Sequence, residues 1–347
     1  MRKVPLTVFL LTVLALSLLI PSCKKSDSSP SGPETAITEL KANGTLAPTS
    51  RNQVQGTVFV TDQTGTPISG LAASNFSARL LYGPGISKTT ADSIVGTVAV
   101  QGMTQSGKKV AVAMTMDYSG SMFNGAYDNT AQQYTRILDM QRGVKAFVTA
   151  MTAGDVAEVI KFGSDVDFVV PFTSSKNCLT TAADSSCFSR GNTALYSSIY
   201  KGLQDASVQS ASTYARAVVA FTDGGENNST VYKSDIYSVA KRSGIPVYTV
   251  GLIDSAYHSV PPGLNSYEEQ DLVEIADTTG GLYYYAPNAA QLSLVYKQIS
   301  GTISNSVAVV ITWPSSGLPT TGTTVRLVMT VTYNGISTQI IKTFVMP

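Results

Sequence analysis

One short segment, VAVAMTMDYSGS at residues 110–121, constrains the fold and the chemistry of this chain more than any other. Its first seven residues are mostly apolar, as expected of a strand buried inside a sheet. Asp117, Ser119 and Ser121 then follow at alternate positions, so an extended turn points their side chains the same way. Carboxylate and hydroxyl oxygens suit a hard divalent cation such as Mg²⁺, whereas zinc and copper prefer nitrogen and sulfur. The segment therefore predicts a buried strand with a cation site at its C-terminal end.

Two later segments carry further oxygen ligands. GNTALYSSI, residues 191–199, has Thr193 just before a helical pattern, and VVAFTDGGENN, residues 218–228, is an apolar strand that ends on Asp223. We interpret the polar residues 226–228, which follow Asp223 closely, as solvated loop residues, with a role at the rim of the site as the alternative. In chain order, a strand with D-x-S-x-S, a loop with Thr and a strand with Asp resemble the von Willebrand factor type A domain, or VWA domain.

The resemblance covers residues 108–304 and includes two further stretches, GDVAEVIKFGSDVDFVVPFT at residues 154–173 and LVEIADTTGGLYYYA at residues 272–286. In the VWA family five side chains form a metal-ion-dependent adhesion site. The residues of this chain that match the five positions are Asp117, Ser119, Ser121, Thr193 and Asp223. The resemblance therefore implies a Mg²⁺ site at those residues, with Mn²⁺ and Ca²⁺ as alternatives.

The charge of this ligand set indicates how such a site would work. Two ligands are carboxylates and three are neutral hydroxyls, whereas Mg²⁺ requires about six oxygens, so water must complete its coordination. An ion with so little negative charge around it stays electrophilic. The resemblance implies that a Glu or Asp carboxylate of a partner protein replaces one of the waters. The alternatives are a cation that only stabilises the fold, or no cation.

Strand and helix patterns alternate from residue 110 onwards, which predicts a mainly parallel sheet. Residues 155–172 read as two strands with a tight turn at Gly163, and such a turn requires an antiparallel pair. The predicted fold class is α/β: a doubly wound, mostly parallel, Rossmann-like sheet with one antiparallel edge strand, flanked by β-sandwich segments. Ligands of such sheets lie beyond the C-terminal strand ends where the strand order reverses, so we expect Asp117 and Asp223 to meet there.

The segments on either side of this unit have β character. Residues 50–107 alternate apolar and polar positions between turns, and residues 305–347 do the same, with a hairpin signal at Asn334 and Gly335. We interpret them as two halves of one sandwich that the VWA domain interrupts, because neither flank alone buries two faces easily. Two unrelated β extensions are the alternative.

Residues 1–22 have the pattern of an export signal, since Arg2 and Lys3 are followed by an apolar run and by IPSC. This resembles a bacterial lipoprotein signal, in which Cys23 is acylated and becomes the mature N-terminus. Residues 23–49 then read as a flexible tether. We predict a lipid-anchored protein of the bacterial cell envelope, at the outer membrane or cell surface rather than the inner membrane. An uncleaved membrane anchor is the alternative.

The mature chain would retain two cysteines, Cys178 and Cys187, within one polar loop predicted at residues 176–188. In an oxidising compartment we expect them to form a disulfide, which would restrict the loop that leads to Thr193. Two free thiols or half of a zinc site are the alternatives, although no histidine lies nearby in the sequence.

Composition and motifs argue against nucleic-acid binding and against catalysis. The net charge is +1 and there is no basic block, so we expect no nucleic-acid partner. His258 is the only histidine, and the sequence has neither a nucleophile elbow nor a phosphate-binding loop. We therefore predict a cation-dependent adhesion or protein-binding module that is not an enzyme. The alternatives are a structural subunit whose cation site only stabilises the fold, and a hydrolase that uses His258.

Overall fold

The computed structural model describes residues 36–84, 86, 92–100, 108–124, 127–131, 133–185, 191–253, 267–286, 291, 295, 298–299, 301, 303 and 305–347. The predicted signal segment lies outside these residues, as do Cys23, Cys187 and His258. The predictions for these parts of the chain therefore stay predictions.

The described residues form fifteen strands and five α-helices. The strands are β1 (Leu40–Ser50), β2 (Gln53–Asp62), β3 (Phe76–Tyr82), β4 (Asp92–Val100), β5 (Lys109–Asp117), β6 (Tyr127–Asp128), β7 (Gln133–Tyr134), β8 (Val156–Phe162), β9 (Val166–Thr173), β10 (Tyr214–Thr222), β11 (Val247–Gly251), β12 (Tyr283–Tyr285), β13 (Val307–Thr312), β14 (Thr324–Tyr333) and β15 (Ile336–Val345). The helices are α1 (Thr135–Ala150), α2 (Lys176–Asp184), α3 (Leu195–Val208), α4 (Lys233–Ser243) and α5 (Tyr267–Thr279).

A six-stranded sheet in the order β12-β11-β10-β5-β8-β9 forms the centre of the α/β part. Its pairings are parallel except for β8 with β9, which the tight turn after β8 makes antiparallel. The strand order reverses between β5 and β10, because the chain runs outwards from β5 to β9 and then returns to β10. The C-terminal ends of these two neighbouring strands therefore lie side by side.

Helices cover both faces of this sheet. On one face α1 and α2 contribute Val144 and Leu179 to the apolar core. On the other face α3, α4 and α5 contribute Leu203, Ile236 and Leu272. Because both faces are covered, the central strand β5 is buried along almost its whole length, which explains its continuous apolar run. In the part of the chain that is described, no helix has the length and apolarity needed to cross a membrane.

A second, seven-stranded sheet in the order β1-β2-β13-β4-β3-β14-β15 is antiparallel throughout. Strands from both flanks share it, since β13 pairs with β2 and β4, and β14 pairs with β3. Its end strands approach each other, and Lys342 Nζ in β15 donates a hydrogen bond to Asn43 Oδ1 in β1 at 3.3 Å. The flanks thus form one nearly closed sheet around an apolar core that includes Leu80, Ile311 and Leu327.

Three predictions about the sheets need correction. Antiparallel pairings outnumber parallel ones over the described residues, so a mostly parallel, doubly wound sheet describes the six-stranded sheet and not the chain as a whole. The flanks form a nearly closed sheet in place of a two-layer sandwich, because a sheet that curls on itself also buries its inner face. The prediction of a flexible tether at residues 23–49 is wrong for residues 40–49, because Leu40–Ser50 forms β1.

The prediction of a polar loop at residues 176–188 is wrong for residues 176–184, because these residues form α2. Ser175 caps this helix, with Oγ accepting a hydrogen bond from the backbone N–H of Cys178 at 3.4 Å. Leu179 anchors it in the core. Cys178 is exposed on this helix, and its predicted partner Cys187 lies outside the described residues, so the disulfide stays a prediction.

The seven-stranded sheet contacts the six-stranded sheet near the N-terminal ends of the parallel strands. Gly280, in the turn before β12, packs against β1, where a β-carbon on it would lie 2.6 Å from the carbonyl carbon of Gly44. The ring of Phe59 in β2 is 6.1 Å from that of Tyr248 near the start of β11. Gly280 precedes β12 and Tyr248 is the second residue of β11, so both contacts lie on the N-terminal side of these strands. The cation site is predicted at the opposite, C-terminal edge.

Candidate metal centre

Asp117 is the last residue of β5, and its carboxylate is completely buried. Its Oδ1 accepts a hydrogen bond from the backbone N–H of Ser119 at 2.7 Å, and its Oδ2 accepts one from Thr222 Oγ1 at 2.5 Å. Because Thr222 is the last residue of β10, this second bond joins the C-terminal ends of the two central strands. Asp117 is thus fixed in the middle of the sheet edge.

Ser119 and Ser121 lie in the turn that follows β5. Ser121 Oγ donates a hydrogen bond to Asp223 Oδ1 at 2.7 Å, and the hydroxyl oxygens of Ser119 and Ser121 are 3.1 Å apart. Ser119 is buried, whereas Ser121 is exposed to solvent. With the bond from Ser119 to Asp117, four of the five predicted ligands form one hydrogen-bonded cluster.

Thr193 lies on the loop before α3, and this loop is held from two sides. The backbone N–H of Gly120 donates a hydrogen bond to the carbonyl oxygen of Gly191 at 2.8 Å, which ties the loop to the serine turn. Asn227 Oδ1 accepts a hydrogen bond from the N–H of Thr193 at 2.8 Å, and the N–H of Asn227 donates to the Thr193 carbonyl at 3.0 Å. Thr193 is buried, and both of its backbone polar groups are bonded.

Residues 226–228 lie in a loop and are half-buried or exposed, as predicted, and two of them also make hydrogen bonds that hold the elements around the site. Asn227 positions Thr193, and Glu226 Oε2 accepts a hydrogen bond from the N–H of Tyr196 in the first turn of α3 at 2.8 Å. A carboxylate at that end interacts favourably with the helix dipole. No local pattern in the sequence indicates either role, because the bonded partners lie 30 to 34 positions away.

Arg136, which the sequence reasoning missed, is in direct contact with the site. Its Nη1 is 2.6 Å from Asp223 Oδ2 and 3.3 Å from the backbone oxygen of Ser121. Since α1 begins at Thr135, the arginine lies in the first turn of that helix. The signal that could have revealed it was a positive charge at a helix start, where acidic residues are usual.

Burial makes both carboxylates costly to ionise. Burial, followed by the negative charge of Asp223, raises the pKa of Asp117 to about 7. Burial also raises the pKa of Asp223, although hydrogen bonding from Ser121 and the positive charge of Arg136 act in the opposite direction. A divalent cation next to both carboxylates would remove this cost, and the all-oxygen donor set fits a hard ion. Among the described residues, no group of three or more His, Cys, Asp or Glu side chains offers another metal site.

Known proteins are similar to half or more of this chain. A relative from Borreliella burgdorferi, an uncharacterized protein, is 25% identical over 186 residues, which is 50% of this chain and 52% of the relative. The chain thus spans about half the length of that relative. The structure of the conserved hypothetical protein BatB from Bacteroides thetaiotaomicron is 22% identical, with 56% of this chain and 98% of that chain covered and a TM-score of 0.45. A von Willebrand factor type A protein from Catenulispora acidiphila is 12% identical, with 91% and 74% covered and a TM-score of 0.44.

The family model of the von Willebrand factor type A domain matches residues 111–298. This range starts in β5, contains the six-stranded sheet with its helices, and includes all five predicted ligands. Because the match extends over more than half of the 347 residues, the chain belongs to the von Willebrand factor type A domain family.

Proposed function

We propose that this protein is a binding module, not an enzyme, that binds Mg²⁺ and uses it to hold an acidic side chain of a partner protein. Mn²⁺ and Ca²⁺ are the alternative cations. The proposed ligands are Asp117, Ser119, Ser121, Thr193 and Asp223. The observation that carries the proposal is the hydrogen-bonded cluster of carboxylate and hydroxyl oxygens at the C-terminal edge of the sheet. When bound, the cation would supply an electrophilic centre for the partner's Glu or Asp carboxylate.

The burial of the ligands favours a site that opens in one direction. Asp117 and Ser119 are fully buried, whereas Ser121 is exposed, so solvent and a partner reach the cluster from the side of Ser121. The contacts described between the two sheets lie on the N-terminal side of the six-stranded sheet, away from the C-terminal edge where the ligands cluster. Both features suit a site that binds another protein.

The hydrogen bonds around the carboxylates argue against a purely structural cation. Asp117 already accepts bonds from Ser119 and Thr222, and Asp223 is bonded to Ser121 and Arg136. Protein groups therefore satisfy both carboxylates, and the fold does not need a cation to hold them. The rival function, a structural subunit whose cation stabilises the fold, requires the opposite.

Chelation distinguishes these two functions. Envelope proteins retained on the immobilised protein in Mg²⁺ should elute with EDTA, and a column kept in EDTA throughout should retain none of them. At ten times its Kd the cation stabilises the protein by about 1.4 kcal/mol, so EDTA should lower the melting temperature by only about 2–4 °C. Loss of cooperative unfolding in EDTA, with partners still bound, would support the structural role and refute ours.

We further propose that the protein is exported and anchored in the bacterial envelope by a lipid on Cys23. The export pattern of residues 1–22 and the cysteine that ends it support this. Cells that express the full chain with radioactive palmitate should yield a labelled protein in the membrane fraction. The Cys23→Ala variant should lose the label; if it keeps the label, the lipid is attached elsewhere or the signal has been misread.

A further inference from the structure

The ion pair between Arg136 and Asp223 lies at the rim of the candidate metal centre. The side chain of Asp223 is only 2% exposed, whereas that of Arg136 is 27% exposed, so a buried carboxylate is paired with a partly exposed arginine. The two oxygens of Asp223 have different partners, with Oδ1 bonded to Ser121 and Oδ2 bonded to Arg136. A cation that binds Asp223 must therefore share the carboxylate with a fixed positive charge.

The position of Arg136 in its helix is unfavourable for helix stability. The N-terminal end of a helix carries a partial positive charge, and a cation in the first turn is repelled by it. The first turn of α1 contains no acidic residue that would offset this repulsion. Helix stability therefore does not account for an arginine here, whereas its contact with Asp223 does.

We propose that Arg136 is a built-in competitor of the divalent cation for Asp223, which weakens cation binding and adds one positive charge to the loaded site. This inference rests on the proposed function. Asp117 and Asp223 carry two negative charges, which Mg²⁺ alone would neutralise. With Arg136 beside it, the loaded site keeps a net charge of +1. An acidic side chain of a partner is attracted to such a site, and a basic one is repelled.

The alternative role for Arg136 is to position Asp223 for the cation. The two roles predict opposite effects when the charge is removed. A competitor that is removed lets the cation bind more tightly, because two like charges near one carboxylate repel each other. A positioning residue that is removed lets Asp223 move, and the cation binds more weakly.

The test compares Arg136→Gln with Arg142→Gln by isothermal titration with Mg²⁺ and with Mn²⁺ alone. Arg142 is a matched control on the same helix, because it is 54% exposed and pairs with Asp139 away from the site. We expect Arg136→Gln to bind both cations about tenfold more tightly than the wild type, or about 1.4 kcal/mol. Arg142→Gln should bind both cations with the affinity of the wild type. Arg136→Lys keeps the positive charge, so its cation affinity should stay close to that of the wild type.

Thermal unfolding provides a second measurement that does not depend on titration. In EDTA, Arg136→Gln should melt below the wild type because a buried carboxylate has lost its counter-ion. Mg²⁺ should then raise the melting temperature of Arg136→Gln by more than that of the wild type. If the wild type binds cations and Arg136→Gln binds them equally or less tightly, the competitor role is refuted while the proposed function stands. If neither protein binds a cation, the proposed function itself fails.

Discussion

Replacing Asp117 by Asn should lower the affinity for Mg²⁺ by about 100-fold or more, which corresponds to about 2.7 kcal/mol. The variant removes one of the two carboxylates of the proposed ligand set, and an amide oxygen is a much weaker ligand for a hard cation. The fold should persist, because Asn has nearly the same volume and its amide can still bond to Ser119 and Thr222. Isothermal titration with Mg²⁺ and thermal unfolding in EDTA measure the two effects separately.

The Asp184→Asn variant controls for the loss of a negative charge as such. Asp184 is 52% exposed and pairs with Lys145 on the surface, outside the cluster. Its replacement should leave the Mg²⁺ affinity within about twofold of the wild-type affinity, because exposed charges are screened by solvent. If Asp117→Asn binds Mg²⁺ like the wild type, the cation is bound elsewhere. If it no longer unfolds cooperatively, Asp117 is needed for the fold and the variant does not report on the site alone.

The arrangement of the central strands could be predicted because it depends on a strong signal. The apolar runs of β5 and β10 identify buried parallel strands, and the reversal of strand order between such strands brings their C-terminal ends together. The prediction that β5 and β10 are neighbours is confirmed. Arg136 could not be predicted in the same way, because the sequence pattern indicates a helix that begins near residue 130, more than a turn before the arginine. In the structure the strands β6 and β7 pair before the helix, which therefore begins at Thr135.

The strand β1 could not be predicted from the sequence, because its glycine permits a close approach to β2, whereas glycine in a sequence usually indicates a turn or loop. Gly44 in β1 pairs with Val58, and Gly56 in β2 pairs with Leu46, where a β-carbon on Gly56 would lie 1.6 Å from the carbonyl oxygen of Thr45. The two strands can approach this closely only without side chains at these positions. In the sequence alone, LKANGTLAPTS with its Gly and Pro indicates a loop or tether. The long-range pairing with β2 decides the structure, and no local pattern encodes it.

Replacing Gly280 by Ala should lower the free energy of unfolding by about 3 kcal/mol. Gly280 has φ of +84°, which is costly for any residue with a β-carbon. The new β-carbon would also lie 2.6 Å from backbone atoms of Gly44 and Thr45, and backbone in a paired strand cannot move aside as a flexible side chain can. The contact between the α/β part and the seven-stranded sheet should therefore be strained. Urea unfolding of the wild type and the variant measures the loss.

Gly244 provides the matched control, because it has φ of +65° and a β-carbon there would have no atom within 4 Å. Gly244→Ala should lower the free energy of unfolding by only about 1 kcal/mol, which is the cost of the backbone conformation alone. The difference between the two variants therefore measures the contact with β1. Equal losses would mean that β1 moves away at little cost and that this contact does not hold the sheets together. Because Gly280 lies at the opposite edge of the sheet from Asp117 and Asp223, folded Gly280→Ala should bind Mg²⁺ like the wild type. A loss of affinity would mean instead that the junction between the sheets and the cation site depend on each other.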